Sequence, residues 1–327
     1  MRLRFRYEEY PYAEVFRISR SASVNTGVFV AEVSDGVYTG RGECSTLEQY
    51  GQTREDVLTA FEAAVALLAA GMGRADLPAM VSNSSVRNAI DCALWDLECK
   101  SQQRSIWELT GIQRADSLPV DITLGINSVD KMQSDAEAAY AAGYRLLKIK
   151  ADADQVLPRV AAIAAVAPGV PLIVDANEAW SIAQLAALAP ELSELGVVLI
   201  EQPLSHLADE ALADYRGPIP LCADESCQSA AQLDVLQQRY QSINIKLDKV
   251  GGLTPALALA RAAKQRGLGL MMGCGGPTSL GIAPAYVVGT LADYCDLDGP
   301  ALLREDRADA VEYRNGRLLC FTAALWG

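Results

Sequence analysis

The chain has 327 residues, half of them hydrophobic, with 28 basic against 41 acidic side chains and a formal net charge of −13. That length allows about two domains, the apolar content excludes intrinsic disorder, and the charge offers no basic footprint to a phosphate backbone or an anionic membrane surface. With one histidine, His206, a zinc site built from several imidazoles is excluded and a Ser-His-Asp relay has one residue to pass through, so the chemistry falls to carboxylates, lysines or thiols.

In chain order, short alternating runs at Arg2–Tyr7, Val28–Val33 and Val37–Gly42 predict an antiparallel meander, with Asp35-Gly36 as a hairpin turn. The first twenty residues scatter their charges and leave no room for a signal-peptide apolar region, so export is not expected. Helices follow at Thr53–Ala70 and Ser84–Lys100, the second with Ile90, Ala93, Leu94 and Leu97 on one face. From residue 118 apolar runs start near Val120, Leu146, Leu172, Val198, Leu221, Ile243, Leu268 and Tyr294, at intervals of 22 to 26 residues, each followed by an alanine-rich helical pattern. Such spacing fits one βα unit per interval. Continuous rather than alternating strands indicate a parallel sheet covered on its outer face by helices. Eight of them predict a (β/α)8-type barrel, with a doubly wound open sheet as the alternative, weakened by the absence of G-x-G-x-x-G after the first strand. The uncharged stretch from Gly267 to Ala292 carries seven glycines and two prolines, which suits strand, turn and helix better than a membrane span. The tail from Leu302 has no βα unit and is expected to pack back on the N-terminal domain. Eight cysteines with no C-x-x-C pair fit a reduced, cytoplasmic protein.

Barrel enzymes carry their functional side chains at the C-terminal ends of the strands, and here those ends are charged: Lys148 and Lys150, Asp175, Glu201, Asp224, Lys246, then Asp296 and Asp298. A lone strand-end carboxylate is ordinarily a helix cap or a surface group. Asp175, Glu201 and Asp224, on three successive strands, converge at one rim, where mutual repulsion favours a hard divalent cation such as Mg²⁺. Lys148 and Lys150 share a strand face, and Lys246 stands four strands away. Opposed lysines flanking a carboxylate-bound metal suit abstraction of a proton α to a carboxylate, with the metal stabilising the enediolate.

The K-x-K of the second strand, the Asp/Glu/Asp triplet and the lysine of the sixth strand resemble the enolase superfamily, muconate lactonizing enzyme subgroup. The runs RNAIDCALWDLE, LIVDANE, LIEQPL, CADESC, NIKLDKVGGLT and DLDGP are similar to those of bacterial dipeptide epimerases. The resemblance implies a modified TIM barrel, (β/α)7β, spanning residues 118–300, under an N-terminal α+β capping domain of residues 1–117 completed by the tail, 301–327. It implies a two-base 1,1-proton transfer at the α-carbon of a dipeptide's C-terminal residue, by default in L-Ala-D/L-Glu of murein-peptide origin. Lys150 and Lys246 would serve opposite faces. One Mg²⁺ per subunit would be held by Asp175, Glu201 and Asp224, with Lys148 against the substrate carboxylate. Asp296 and Asp298 would receive the N-terminal ammonium, and Thr123, Cys274 and Gly276 match family positions that touch substrate. A homo-oligomer is implied as well.

The first capping loop, Ser19–Gly27, has Arg20 at its start but Ser23 or a neighbour where an arginine meets the substrate's side chain in Glu-specific relatives, so recognition of an acidic side chain is weakened. Tyr50, in the second capping loop, is expected to form an aromatic wall. His206 is expected on a loop surface, Trp95, Trp107 and Trp180 in packing, and Cys92 and Cys99 as small hydrophobes. Within the same fold the alternatives are N-succinylamino acid racemase, muconate cycloisomerase and o-succinylbenzoate synthase, whose substrates bring no free ammonium. From another class comes a catalytically inactive metal-binding barrel.

Overall fold

The structure is a computed structural model that describes every residue, Met1–Gly327. Three antiparallel strands, β1 (Arg2–Ile18), β2 (Ser21–Ser34) and β3 (Thr39–Ser45), open the chain in the order β1-β2-β3. At the β2–β3 turn, Asp35 Oδ1 accepts from the N–H groups of Val37 and Tyr38, each at 2.8 Å, the arrangement expected of an Asp-Gly turn. β1 and β2 are much longer than the predicted runs. They pair from Arg2↔Ser34 out to Ile18↔Ser21, with a break in register between Pro11 and Phe16. The expected capping loop at residues 19–27 is thus a tight turn at Ser19-Arg20 followed by a strand. That arm leaves the cap's core and buries neither face continuously, so no hydrophobic alternation marks it in the sequence.

Helices Arg54–Ala69 and Ser84–Gln102 cover this sheet. The first begins with a capping box between Thr53 and Asp56. The second lies so close to β3 that a Cβ at Gly40 or Gly42 would stand 2.0 or 2.1 Å from the carbonyl oxygens of Ala93 or Ala89. Phe29, Val57, Phe61, Leu68, Val86 and Ile90 form this cap's own core.

After β4 (Ser117–Pro119) come eight parallel strands: β5 (Ile122–Leu124), β6 (Leu147–Lys150), β7 (Leu172–Asp175), β8 (Val197–Glu201), β9 (Leu221–Ala223), β10 (Ser242–Ile245), β11 (Gly269–Gly273) and β12 (Tyr294–Asp296). They pair in sequence order from β5 to β12. The ring closes at a seam, where Asp121 N donates to Cys295 O at 3.1 Å. Full crossover helices follow β5, β6, β7, β10 and β11, at Val129–Ala141, Val156–Val166, Ile182–Glu194, Leu253–Gln265 and Ser279–Gly289. Contrary to the sequence expectation, β8 and β9 are followed only by short helical segments, Glu210–Asp214 after β8 and Ala230–Gln232 running into Leu233–Leu236 after β9. These are the two shortest intervals. Strands β13 (Tyr313–Arg314) and β14 (Arg317–Leu319) pair with β4. The chain end then meets the cap: Trp326 Nε1 donates to Cys92 O at 3.1 Å, Gly327 N donates to Asp96 Oδ1 at 2.9 Å, and Arg41 Nη2 reaches Ala324 O at 2.8 Å. No helix is long and apolar enough to cross a membrane, and all eight cysteines are free.

Strand alternation positions the site. Leu147, Ile149, Leu172, Val174, Ile200, Ile243, Ile245 and Leu270 face outward into the core shared with the helices. Ile173, Leu199, Cys222 and Met271 face inward and pack together as an apolar floor, with Leu146 and Tyr294 against it. Two residues beyond this floor, on the same strand faces, stand Lys148, Asp175, Glu201, Asp224 and Asp296. Those positions are all buried.

Candidate active site

A cavity of about 380 Å³ opens between cap and barrel, within the size range of small-molecule sites. The barrel contributes Thr123, Lys150, Lys246, Cys274, Gly276, Asp296 and Asp298 to its wall, and the cap contributes Arg20, Ser21, Leu47 and Gln49 among others. Of the predicted substrate-contact residues only Lys148 is absent from this wall. Its side chain is 1 % exposed, with Nζ 2.6 Å from Glu201 Oε2, 2.6 Å from Asp296 Oδ2 and 3.3 Å from Asp175 Oδ2. These three buried carboxylates hold the Lys148 ammonium: burial alone would lower its pKa, but Asp296, Glu201 and Asp175 raise it well above the usual value.

The predicted metal ligands are all buried strand-end carboxylates. Asp175 and Glu201 are register partners on β7 and β8. Asp175 Oδ2 lies 2.5 Å from Lys150 Nζ, while Asp224 Oδ2 lies 2.7 Å from Lys246 Nζ and its Oδ1 2.5 Å from Lys249 Nζ. Burial pushes both aspartates up, yet the lysines overcome it and hold Asp175 and Asp224 below their usual range. Glu201 differs. Burial and the neighbouring Asp175 raise it to about 7, and its Oε2, although close to Lys148, receives no hydrogen bond of acceptable direction. A buried oxygen without a proper donor, between two ionised carboxylates, is what a cation-binding set of hard donors presents, so these residues fit Mg²⁺.

The carboxylate trio with one oxygen of each within 4.8 Å of the others is nevertheless Asp121, Asp296 and Asp298, whereas Asp175, Glu201 and Asp224 are each in contact with a lysine. Asp298 is fixed by the barrel seam: Thr123 N donates to its Oδ2 at 2.6 Å. Burial and Asp296 raise its carboxyl to about 6.

Lys150 and Lys246 stand on β6 and just past β10, with three strands between them, and so face each other across the cavity. For Lys246 burial favours the neutral amine, but Asp224 and Glu201 outweigh it and raise the pKa above the usual lysine value. The cap's cation at the cavity is Arg20, whose Nη1 lies 2.9 Å from Glu225 Oε1 and 3.6 Å from Glu178 Oε2. Ser23 is on β2, paired with Phe16, and does not line the cavity. Tyr50 does not form the expected wall. Its hydroxyl donates to Glu225 O at 3.1 Å, and its ring meets His206 edge-on at 5.8 Å. His206 is half-buried rather than on a free loop surface, with Nδ1 2.6 Å from Glu178 Oε1. Burial raises the Cys274 thiol. Gly276 has φ +84°, and a Cβ there would meet Tyr12 Oη at 2.7 Å, so this wall needs glycine.

Sequence reading missed four residues of the site. Asn244 Nδ2 donates to Glu201 Oε1 at 2.7 Å, and Asn177 N donates to Asp175 Oδ1 at 2.9 Å. Lys249 secures Asp224, and Asp121 stands behind Asp296 and Asp298. One of them had a signal: Asn244, on β10, precedes the predicted site residue Lys246 by two positions and therefore shares its inward face.

Residues 131–323 match the family model described as enolase C-terminal domain-like, and residues 7–111 match the N-terminal domain of mandelate racemase / muconate lactonizing enzyme. The chain is 39 % identical to the L-Ala-D/L-Glu epimerase of Escherichia coli K12 over 95 % of its own length and 97 % of that protein's. It is 43 % identical to an N-acetyl-D-glutamate racemase of Pseudoalteromonas over 74 % of this chain and 76 % of the other. Among solved structures, an enolase family member from Agrobacterium tumefaciens with homology to dipeptide epimerases, holding sodium and L-Ala-L-Glu, is similar with a TM-score of 0.95. It shares 39 % identity and matches 99 % of each chain. The fold, the charged barrel mouth and these matches agree, and the chain belongs to the enolase superfamily, in the mandelate racemase/muconate lactonizing enzyme family.

Proposed function

We propose that this chain is a Mg²⁺-dependent dipeptide epimerase that inverts the α-carbon of the C-terminal residue, with L-Ala-D/L-Glu as the default substrate. The observation that carries the reading is the opposition of Lys150 and Lys246 across a cavity whose far wall holds Asp296 and Asp298. Lys150 takes the α-proton from one face and Lys246 returns one to the other; reversal of roles runs the opposite epimer. Asp296 and Asp298 accept the N-terminal ammonium, Thr123, Cys274 and Gly276 shape the space between, and Lys148 holds the carboxylates of both subsites in register. Asp175, Glu201 and Asp224 are the residues to hold one Mg²⁺ per subunit. When bound, the ion supplies the positive charge these carboxylates otherwise draw from the lysines and polarises a substrate carboxylate. The same reading divides the chain into a cap of residues 1–117, a barrel of 118–300 and a tail of 301–327, and takes it to act as a cytoplasmic homo-oligomer.

A second reading is favoured by the relative that racemises N-acetyl-D-glutamate: the same proton transfer on an N-acylated amino acid. Incubation with Mg²⁺ in D₂O separates the two. The first reading expects L-Ala-L-Glu to gain one deuterium at the glutamate α-carbon and to yield L-Ala-D-Glu. Exchange into N-acetylglutamate with none into any dipeptide supports the second.

A further inference from the structure

Asp121 has no structural reason to be ionisable. Its backbone closes the barrel seam, a task any residue but proline can perform. The side chain is wholly buried, and neither carboxylate oxygen has a hydrogen-bond partner. One of those oxygens lies within 4.8 Å of an oxygen of Asp296 and of an oxygen of Asp298. The pair lines the cavity and Asp121 does not, so Asp121 stands behind them, beyond a ligand's reach. Positive charge is short here. The one ammonium in contact, Lys148 on Asp296 at 2.6 Å, is shared with Glu201 and Asp175.

We propose that Asp121 is a positioning residue that acts through Asp296 and Asp298 to make the site select substrates with a free, cationic N-terminus over N-acylated ones. The inference rests on the dipeptide reading above and names the residue behind that preference. A buried carboxyl with no donor of its own destabilises the fold, and a group retained at such a cost is expected to serve the site. Its neighbours complete the argument. Burial, with Asp296 and Asp298 beside it, pushes the Asp121 carboxyl well above its usual range, the response of a carboxyl that lacks a countercharge. An ammonium arriving between Asp296 and Asp298 supplies that countercharge and favours the ionised form of Asp121, whose negative charge strengthens the grip on the cation. A neutral N-acyl amide brings no charge and gains nothing from this response.

The test compares Mg²⁺-loaded wild type, Asp121→Asn and Asp121→Leu in α-proton exchange of L-Ala-L-Glu and of N-acetyl-L-glutamate. In both variants the ratio of kcat/KM for dipeptide over N-acyl substrate is expected to fall at least about tenfold, chiefly through the dipeptide's KM, since both remove one charge a few ångströms behind the ammonium. Folding is read from thermal melts, and a melting point at or above wild type is expected. Equal losses on both substrates, or an unchanged ratio in a folded variant, overturn the proposal and leave the epimerase reading intact. So does failure of both variants to fold, which makes Asp121 a structural residue. Failure of the reading itself shows elsewhere: the wild type exchanges no dipeptide, and the proposal falls with it.

Discussion

Lys148 Nζ lies 2.6 Å from Asp296 Oδ2 and 2.6 Å from Glu201 Oε2, so one buried ammonium ties the proposed metal set to the proposed ammonium pocket. Removing it strands like charges in a desolvated barrel. Loss of one partner from a buried ion-pair cluster costs about 3–5 kcal/mol, so Lys148→Met is expected to lower the thermal midpoint by roughly 5–10 °C. Saturating Mg²⁺ should recover part of the loss. Melting curves with and without the ion check this, and an unchanged midpoint contradicts it.

Removal of metal has a paired consequence. Treatment with a chelator is expected to abolish α-proton exchange and to lower the melting point, and both should return with Mg²⁺. Mass action sets the scale, about 2.7 kcal/mol of stabilisation at a hundred times the dissociation constant. Alanine at Glu201 should make the melting point insensitive to Mg²⁺.

At the cap–barrel boundary, Asp248 Oδ1 accepts from Asn88 Nδ2 at 2.7 Å and Oδ2 from Ser45 N at 3.4 Å. Burial raises its carboxyl from 3.8 to about 7. A carboxyl whose folded value is raised stabilises the fold fully below its unfolded value, and that contribution is lost as pH rises toward the folded value. The window is therefore pH 4 to 7. Asp248→Asn does not titrate, so the melting point of the wild type should fall relative to this variant across that window and run parallel above it. Parallel curves throughout contradict the assignment.

Arg20 engages its acidic neighbours through Nη1, leaving other guanidinium donors for a substrate carboxylate. Arg20→Gln is expected to raise KM for L-Ala-L-Glu about tenfold or more, while L-Ala-L-Leu changes by about twofold or less. A dipeptide library screened for exchange reads both at once. Equal changes for both substrates would mean that Arg20 only supports the cap.

The barrel was legible because each strand buries both faces and so reads as an unbroken apolar run, and because βα units repeat at a fixed interval. Every strand from β5 to β12 begins within two residues of its expected start. The charged strand ends were legible for the same reason, as interruptions of that pattern. The long β1–β2 arm was not. Its residues lie between cap, solvent and cavity, and no single face is apolar. Asp121 was hidden by its place, since an aspartate at the start of a strand looks like a turn residue until the seam brings it against Asp296 and Asp298. The pairing of lysines with Asp175, Glu201 and Asp224 is a property of side-chain packing that strand order alone does not specify.

The central claim is that Lys150 and Lys246 each serve one face of the α-carbon, and isotope exchange in the two single variants tests it most directly. In Mg²⁺ and D₂O, Lys150→Ala and Lys246→Ala should each lose net epimerisation by about 10³-fold or more. Each should still exchange the α-proton of one epimer, and the epimer should differ between the two variants. Loss of exchange from the same epimer in both, or retained epimerisation in either, contradicts the two-base account.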